Sequence, residues 1–426
     1  MSRSLDVIVI GAGFAGLSAA LELQRAGLSF LLIEAGSRVG GKVESRRNTL
    51  HERLDAGGQF FCEDMPSVMD LVTRYRKTKI ETPVAGNFSV QPKADPEEAR
   101  RIYRSAGAMR ARLHEIAPDD PAIAGLTVAD WLEKQPELPE TKAAFHSMVE
   151  GLWCLPITTI PLWYLIDNNR RITNGTFELQ YFLRNSMHSL AEDMAAELGE
   201  RLLLNAPVTQ IRHAAGQAAA VTPKGEFTGG KIILALPPTM AAWIAYSPAL
   251  PEQLGRALAA WKSGSVAKTV LRYTRPFWRD RGLSGMVLWR DVHGLFACDA
   301  SPDAEHATLV VWTAGPLADL WRSEGEPAMK KRLVERLCAA LGPEAAEPLD
   351  ILLRDWTSDA WVGGGYSDII TDMSARDAEK TLRGGIGALL FASSEISPSF
   401  PGYVEGAVVA GGIAARAAAE ALSRRI

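Results

Sequence analysis

The chain has 426 residues, 47% of them hydrophobic and 23% charged, with a formal net charge of −4. That length and apolar content suffice for two domains with buried cores, and a mildly acidic balance without a long Lys/Arg run argues against nucleic acid or an anionic membrane as partner. No stretch approaches the roughly 20 uncharged apolar residues that span a bilayer, so small molecules are the expected partners.

The first element is an apolar strand, Val7-Ile8-Val9-Ile10, which stops at Gly11 and runs into Gly11-x-Gly13-x-x-Gly16 and a helix-like stretch. Gly11 permits a tight turn, Gly13 brings backbone close to a pyrophosphate, and Gly16 lets the helix pack on the strand. The helix N-terminus then faces phosphates with its N–H groups and positive dipole end. A second buried strand, Phe30–Ile33, is followed by Glu34, whose carboxylate can accept both ribose hydroxyls of an adenosine and would repel a 2′-phosphate. FAD or NAD is therefore favoured over NADP. Two further glycine pairs, Gly40-Gly41 before Lys42 and Gly57-Gly58 before Gln59, suit an extended cofactor that a simple NAD domain does not need. Together with Arg38, this run resembles the glutathione-reductase-like FAD superfamily, which implies an α/β Rossmann domain with an α+β substrate domain inserted discontinuously.

Farther along, Asp64 to Thr82 reads as a helix and the punctuated passage Pro83 to Pro96 as a domain crossing. Pro96 to Tyr181 is largely helical, with apolar spacing in 99–116 and 141–152. A helix over 190–198 and short strands over 202–205 and 208–212 follow. The buried strand 231–236, stopped by Pro237-Pro238, returns the chain to the first domain. Strands over 266–273, 284–289 and 307–312 form a sheet of the second domain, followed by a helix over 326–341, a last strand over 386–392 and a helix over 404–422. The domains expected are 1–80, 183–257 and 358–426 for the cofactor, and 81–182 and 258–357 for the substrate. Cys62, Cys154, Cys298 and Cys338 are widely spaced without a CxxC pair, which fits reduced thiols in a cytoplasm and no metal site.

Four segments make nearly the whole chain resemble the flavin monoamine oxidase family. These are Ile233–Pro238; Val266–Tyr273 leading to Pro276-Phe277-Trp278-Arg279; Trp356–Tyr366; and Phe391–Glu395 with Phe400-Pro401-Gly402-Tyr403. The resemblance implies that Lys268 serves the reaction of reduced flavin with dioxygen, and that Tyr366 and Tyr403 form an aromatic cage for the amine. Two π faces stabilise a polarised nitrogen by ~0.5–2 kcal/mol per contact. A lysine that merely snorkels from an edge strand is the structural alternative for Lys268. The resemblance also completes the cofactor set with Ala15, Ala35, Val208, Trp361, Ser394, Glu395 and Val404. An acidic cap on the last helix is the structural alternative for Glu395. Trp153, Trp163, Tyr164 and Phe60 are the candidate pocket residues, with core packing the rival role for the first three.

Gly365 stands where mitochondrial relatives carry the flavin-linking cysteine, so the FAD is expected to be non-covalent, as in the soluble 6-hydroxynicotine oxidase type. Lys42 and Gly36 replace arginines, and Ser393 a glycine. Asp167 is a candidate for a second cationic group on the substrate. No carboxylate or histidine dyad is evident. The expected activity is oxidation of a primary or secondary amine, with dioxygen as acceptor, in a soluble protein able to form a homodimer. A protoporphyrinogen-oxidase- or desaturase-like enzyme, and a binding protein like the GDP-dissociation inhibitors, are the rivals.

Overall fold

In the computed structural model, residues 5–173, 175–214 and 216–424 are described. Leu5–Ile10 lies between Phe30–Ile33 and the ten-residue strand Gly225–Leu234, parallel to both. Its residues Val7, Ile8 and Val9 are fully buried, as expected of a strand covered on both faces. Gly225–Leu234 changes partners along its length. Its first half pairs antiparallel with Gln217–Thr222, and its second half pairs parallel with Leu389–Phe391. The helix Phe14–Arg25 packs against the last helix, Val404–Ser423, at a glycine contact: a Cβ on Gly411 would lie 2.1 Å from the Ala15 carbonyl oxygen.

A second sheet of six strands runs in the order Asp350–Asp355, Val266–Arg272, Thr308–Ala314, Leu295–Asp299, Leu283–Trp289 and Asn87–Gln91. Asn87–Gln91 falls inside the passage expected to be irregular, because a short edge strand between prolines carries little periodicity. The helix expected over 64–82 ends at Arg74; Lys79–Glu81 instead pairs with Tyr181–Leu183. Helices Pro96–Leu113 and Pro139–Trp153 flank this sheet, and Leu162–Arg170 packs against the helix Val128–Glu133. Asp95 starts the first of them, accepting the Glu97 and Glu98 N–H groups ahead of Pro96.

The hairpin of Ser45–Arg47 with Arg53–Asp55 joins the two sheets. Arg272 donates twice to Glu52, at 2.6 and 2.7 Å. Arg354 donates to Glu44 at 2.9 Å, and the Trp356 indole N–H to the Ala56 carbonyl at 2.9 Å.

Candidate active site

Within the Gly11–Gly16 turn, three glycines have different physical reasons. A Cβ on Gly16 would stand 1.8 Å from the Gly11 carbonyl oxygen, and one on Gly11 would stand 2.6 Å from that of Ala235. The protein's own packing excludes side chains at both. A Cβ on Gly13 would meet nothing closer than the Gly41 Cα at 3.8 Å. Gly13 starts the helix Phe14–Arg25 without a side-chain cap and with no acidic residue in the first turn. Open space, uncapped N–H groups and no competing anion fit a phosphate.

The second glycine pair folds onto the first, with the Gly40 N–H donating to the Ala12 carbonyl at 2.8 Å. Glu34 accepts the Ala12 N–H at 2.7 Å and the Gly36 N–H at 2.8 Å, so it also clamps the turn that it was expected to serve only as a ribose acceptor. A carboxylate retains lone pairs for ribose beyond those two bonds. Ala35 continues this turn, and Trp361, 51% exposed, lies beside Gly36. Arg38 donates to the carbonyls of Val39, Gly41 and Val43 at 2.9–3.2 Å and lies 3.4 Å from Glu44. It therefore shapes the Gly40-Gly41-Lys42 turn. These backbone donors, the glycine cradle and Glu34 suit the FAD implied by the motif.

Toward the other end, Lys42 lies 3.3 Å from Glu395, which also accepts the Asp368 N–H at 3.2 Å and the Ser394 hydroxyl at 3.0 Å. Burial works to raise the Glu395 pKa, but the Lys42 charge and these donors hold it below the ordinary value. Glu395 sits in the turn Ser394–Ile396 and does not cap the last helix, whose N-cap position is Tyr403. Asp368 is fully buried and accepts the N–H and hydroxyl of Thr239 at 2.9 and 2.6 Å. Val404 begins the last helix, and its neighbour Glu405 accepts the N–H groups of Ser67 and Val68, capping the helix Pro66–Arg74 from outside it.

Lys268 lies on a strand hydrogen-bonded on both sides, so it does not snorkel from an edge. It is 2% exposed. Its ammonium donates to the Gly57 carbonyl at 2.7 Å and to Gln59 Oε1 at 2.8 Å, and it lies 5.6 Å from the centre of the Trp312 ring. Burial lowers its pKa to about 8 against the pull of Asp55, which burial raises to about 7 against the pull of Lys268. Gln59, expected at the cofactor, thus holds the lysine.

Phe60 packs tilted on Trp312 and edge-on to Phe182, with ring centres 5.8 and 5.9 Å apart. Trp312 reaches this corner because its strand places it opposite Lys268. Sequence reading missed it, as a tryptophan in an apolar strand has no distinguishing signal.

Gly364 and Gly365 lie flat on Ser263-Gly264: the Gly365 N–H donates to the Gly264 carbonyl at 2.7 Å, and a Cβ on Gly364 would stand 2.4 Å from the same oxygen. This turn presents Tyr366. A Cβ on Gly365 would meet Cys154 Sγ at 3.1 Å; that buried thiol is pushed up by desolvation to about 12. The two tyrosine turns touch, since a Cβ on Gly402 would lie 3.0 Å from the Cβ of Ser367. The Tyr403 hydroxyl donates to the Glu178 carboxylate, and burial and that carboxylate raise its pKa well above the ordinary value.

Glu178 is the carboxylate that sequence reading did not find; it lies in an irregular loop with no motif around it. Asp167, the expected partner for a second cation, is instead paired with Arg171 at 3.0 Å. Trp153, Trp163 and Tyr164 are buried in one aromatic cluster, with Tyr164 5.6 and 5.7 Å from the two indoles. Val208 packs, half-buried, at the edge of the same core. All four cysteines are free, and among the described residues no group could hold a metal and no helix is long and apolar enough to cross a membrane.

Residues 14–419 match the family described as flavin containing amine oxidoreductase. An L-amino acid dehydrogenase of Synechocystis sp. is 25% identical over 98% of this chain and 95% of its own length. The flavin-containing amine oxidase B of Canis lupus familiaris is 27% identical over 100% of this chain and 88% of its own. Among solved structures, the cyclohexylamine oxidase of Brevibacterium oxydans superposes with a TM-score of 0.89 at 26% identity, covering 99% of this chain and 100% of that one. A putrescine oxidase bound to putrescine gives 0.90 at 24% identity, covering 99% of this chain and 100% of that one, which speaks to the fold alone.

Proposed function

Because this chain belongs to the family of flavin-containing amine oxidoreductases, we propose that it oxidises a small primary or secondary amine held between Tyr366 and Tyr403, using dioxygen as acceptor. Two observations support the reading: Lys268 is buried and held by Gly57 and Gln59, and the turns that carry Tyr366 and Tyr403 touch each other. In this reading residues 1–80, 183–257 and 358–426 hold non-covalent FAD, and residues 81–182 and 258–357 shape the amine pocket. Gly13, Glu34, Gly41 and Lys42 would hold the nucleotide.

Bound FAD supplies a hydride acceptor at N5 for the hydrogen on the carbon next to nitrogen, and dioxygen takes up the two electrons as hydrogen peroxide. The tyrosine faces align the neutral amine so that this C–H bond is presented, and they stabilise charge that develops on nitrogen. The iminium product is hydrolysed by water to a carbonyl compound. Lys268, fixed by Gly57 and Gln59, keeps one donor free for the dioxygen reaction. Glu178 attracts a second cationic group and repels a substrate carboxylate. That favours amines over amino acids, although a relative is named for the latter. With glycine at residue 365 and so no thiol there to bond the flavin, backbone donors and buried charge would retain it. A homodimer in a cytoplasm is the setting we infer.

The purified protein should be yellow, should bleach anaerobically with amines and should recolour in air with peroxide release. Bleaching by porphyrinogens, polyenes or L-amino acids but not by amines overturns the reading, and a colourless protein revives the binding-protein alternative. Acid should release free FAD.

A further inference from the structure

A cavity of about 210 Å³ lies on the Lys268 side of the six-stranded sheet, lined by Asp55, Gln59, Val270, Arg272, Ala300 and Pro302 among others. Its carboxylates are unequal. Glu52 is paired with Arg272, and Asp303 with Arg184 and His306. The lining arginine Arg53 is paired with Glu192 outside the cavity. Asp55 has no such ion pair among the described residues; it is 7% exposed and accepts the Met187 N–H at 3.0 Å. It opens the Asp55–Gln59 turn whose Gly57 carbonyl and Gln59 side chain hold the Lys268 ammonium, and Gln59 lines the same cavity.

We propose that Asp55 and this cavity form the route by which protons reach Lys268. The inference rests on the reading of Lys268 given above. Reducing dioxygen to hydrogen peroxide with one hydride equivalent consumes one proton, and a lysine that donates it must be reprotonated. Asp55 hands its proton to the neutral Lys268 amine through cavity water and is recharged from solvent. The other groups facing the pair are Cys298 and Trp312 toward Lys268, and Arg53 with the Met187 and His188 backbone N–H groups toward Asp55. None of these is a carboxylate that could substitute.

The direct test is a lysine-¹⁵N NMR titration of the purified protein, with the Lys268 signal assigned by its loss in Lys268→Met. Asp55→Asn should lower the Lys268 midpoint by about one pH unit, because the compensating anion is gone; an unchanged midpoint overturns the proposal. A second variant, Pro302→Trp, narrows the cavity from an irregular loop without touching the machinery. It should slow the dioxygen half-reaction several-fold and introduce a solvent deuterium isotope effect on it, leaving anaerobic reduction by amine unchanged. If Lys268→Met slows reoxidation but neither other variant has its effect, the route is wrong and the lysine reading stands. If Lys268→Met has no effect on reoxidation, both fall.

Discussion

At the proposed nucleotide end the working groups are mainly backbone atoms, with the Glu34 carboxylate, drawn from about 40 consecutive residues, whereas at the proposed amine end they are side chains from six segments between Gln59 and Tyr403. The first is set by local sterics: Gly11, Gly16 and Gly40 permit turns that no side chain could enter. The second exists only where sheets and loops converge. A change at the nucleotide end should therefore act on folding or on cofactor retention, and one at the amine end on turnover or selectivity.

The sharpest contrast lies within the glycine motif. Gly16→Ala forces a Cβ into the Gly11 carbonyl and should abolish folding, seen as loss of the cooperative melt. Gly13→Ala, with an extended backbone at φ −72 and no protein atom in the way, should melt normally but bind flavin at least about tenfold more weakly by fluorescence titration. Equal damage from both would erase the distinction between packing glycines and the phosphate glycine.

At the amine end, Lys268→Met should slow reoxidation by dioxygen on the order of 10²-fold and amine reduction much less, measured by stopped flow. Glu178→Gln should raise KM about tenfold for amines bearing a second cation, with monoamines changed little; a uniform change would make Glu178 a support for Tyr403 only. The smallest effect concerns the hairpin between the two ends. Arg272 holds the Glu52 carboxyl below its ordinary value of 4.5. That stabilisation is present above pH 4.5 and is lost as pH falls through the lower folded value. Arg272→Met should flatten the acid limb of melting temperature against pH by about 2 °C.

The α/β fold, the FAD motif and most buried elements were legible because each rests on a short-range pattern, such as an apolar strand, a turn glycine or a helical period. Lys268 stood out as a charge inside an apolar strand, and Tyr366 and Tyr403 as aromatics in glycine-rich turns. Glu178, Trp312 and Asp55 did not stand out. A glutamate in an irregular loop, a tryptophan in a strand and an aspartate before a glycine pair look ordinary until the chain brings them to Tyr403, Phe60 and Lys268.

By itself, then, the sequence determined the glycine turns, the strand that carries Lys268 and the absence of a thiol at residue 365, since these depend on residue identity and near neighbours. Only the tertiary structure decided that Asp167 is occupied by Arg171, that Glu178 stands at Tyr403 and that a cavity reaches the turn holding Lys268. The last two join residues far apart in the chain, and in all three burial and charge follow from packing, which local periodicity does not encode.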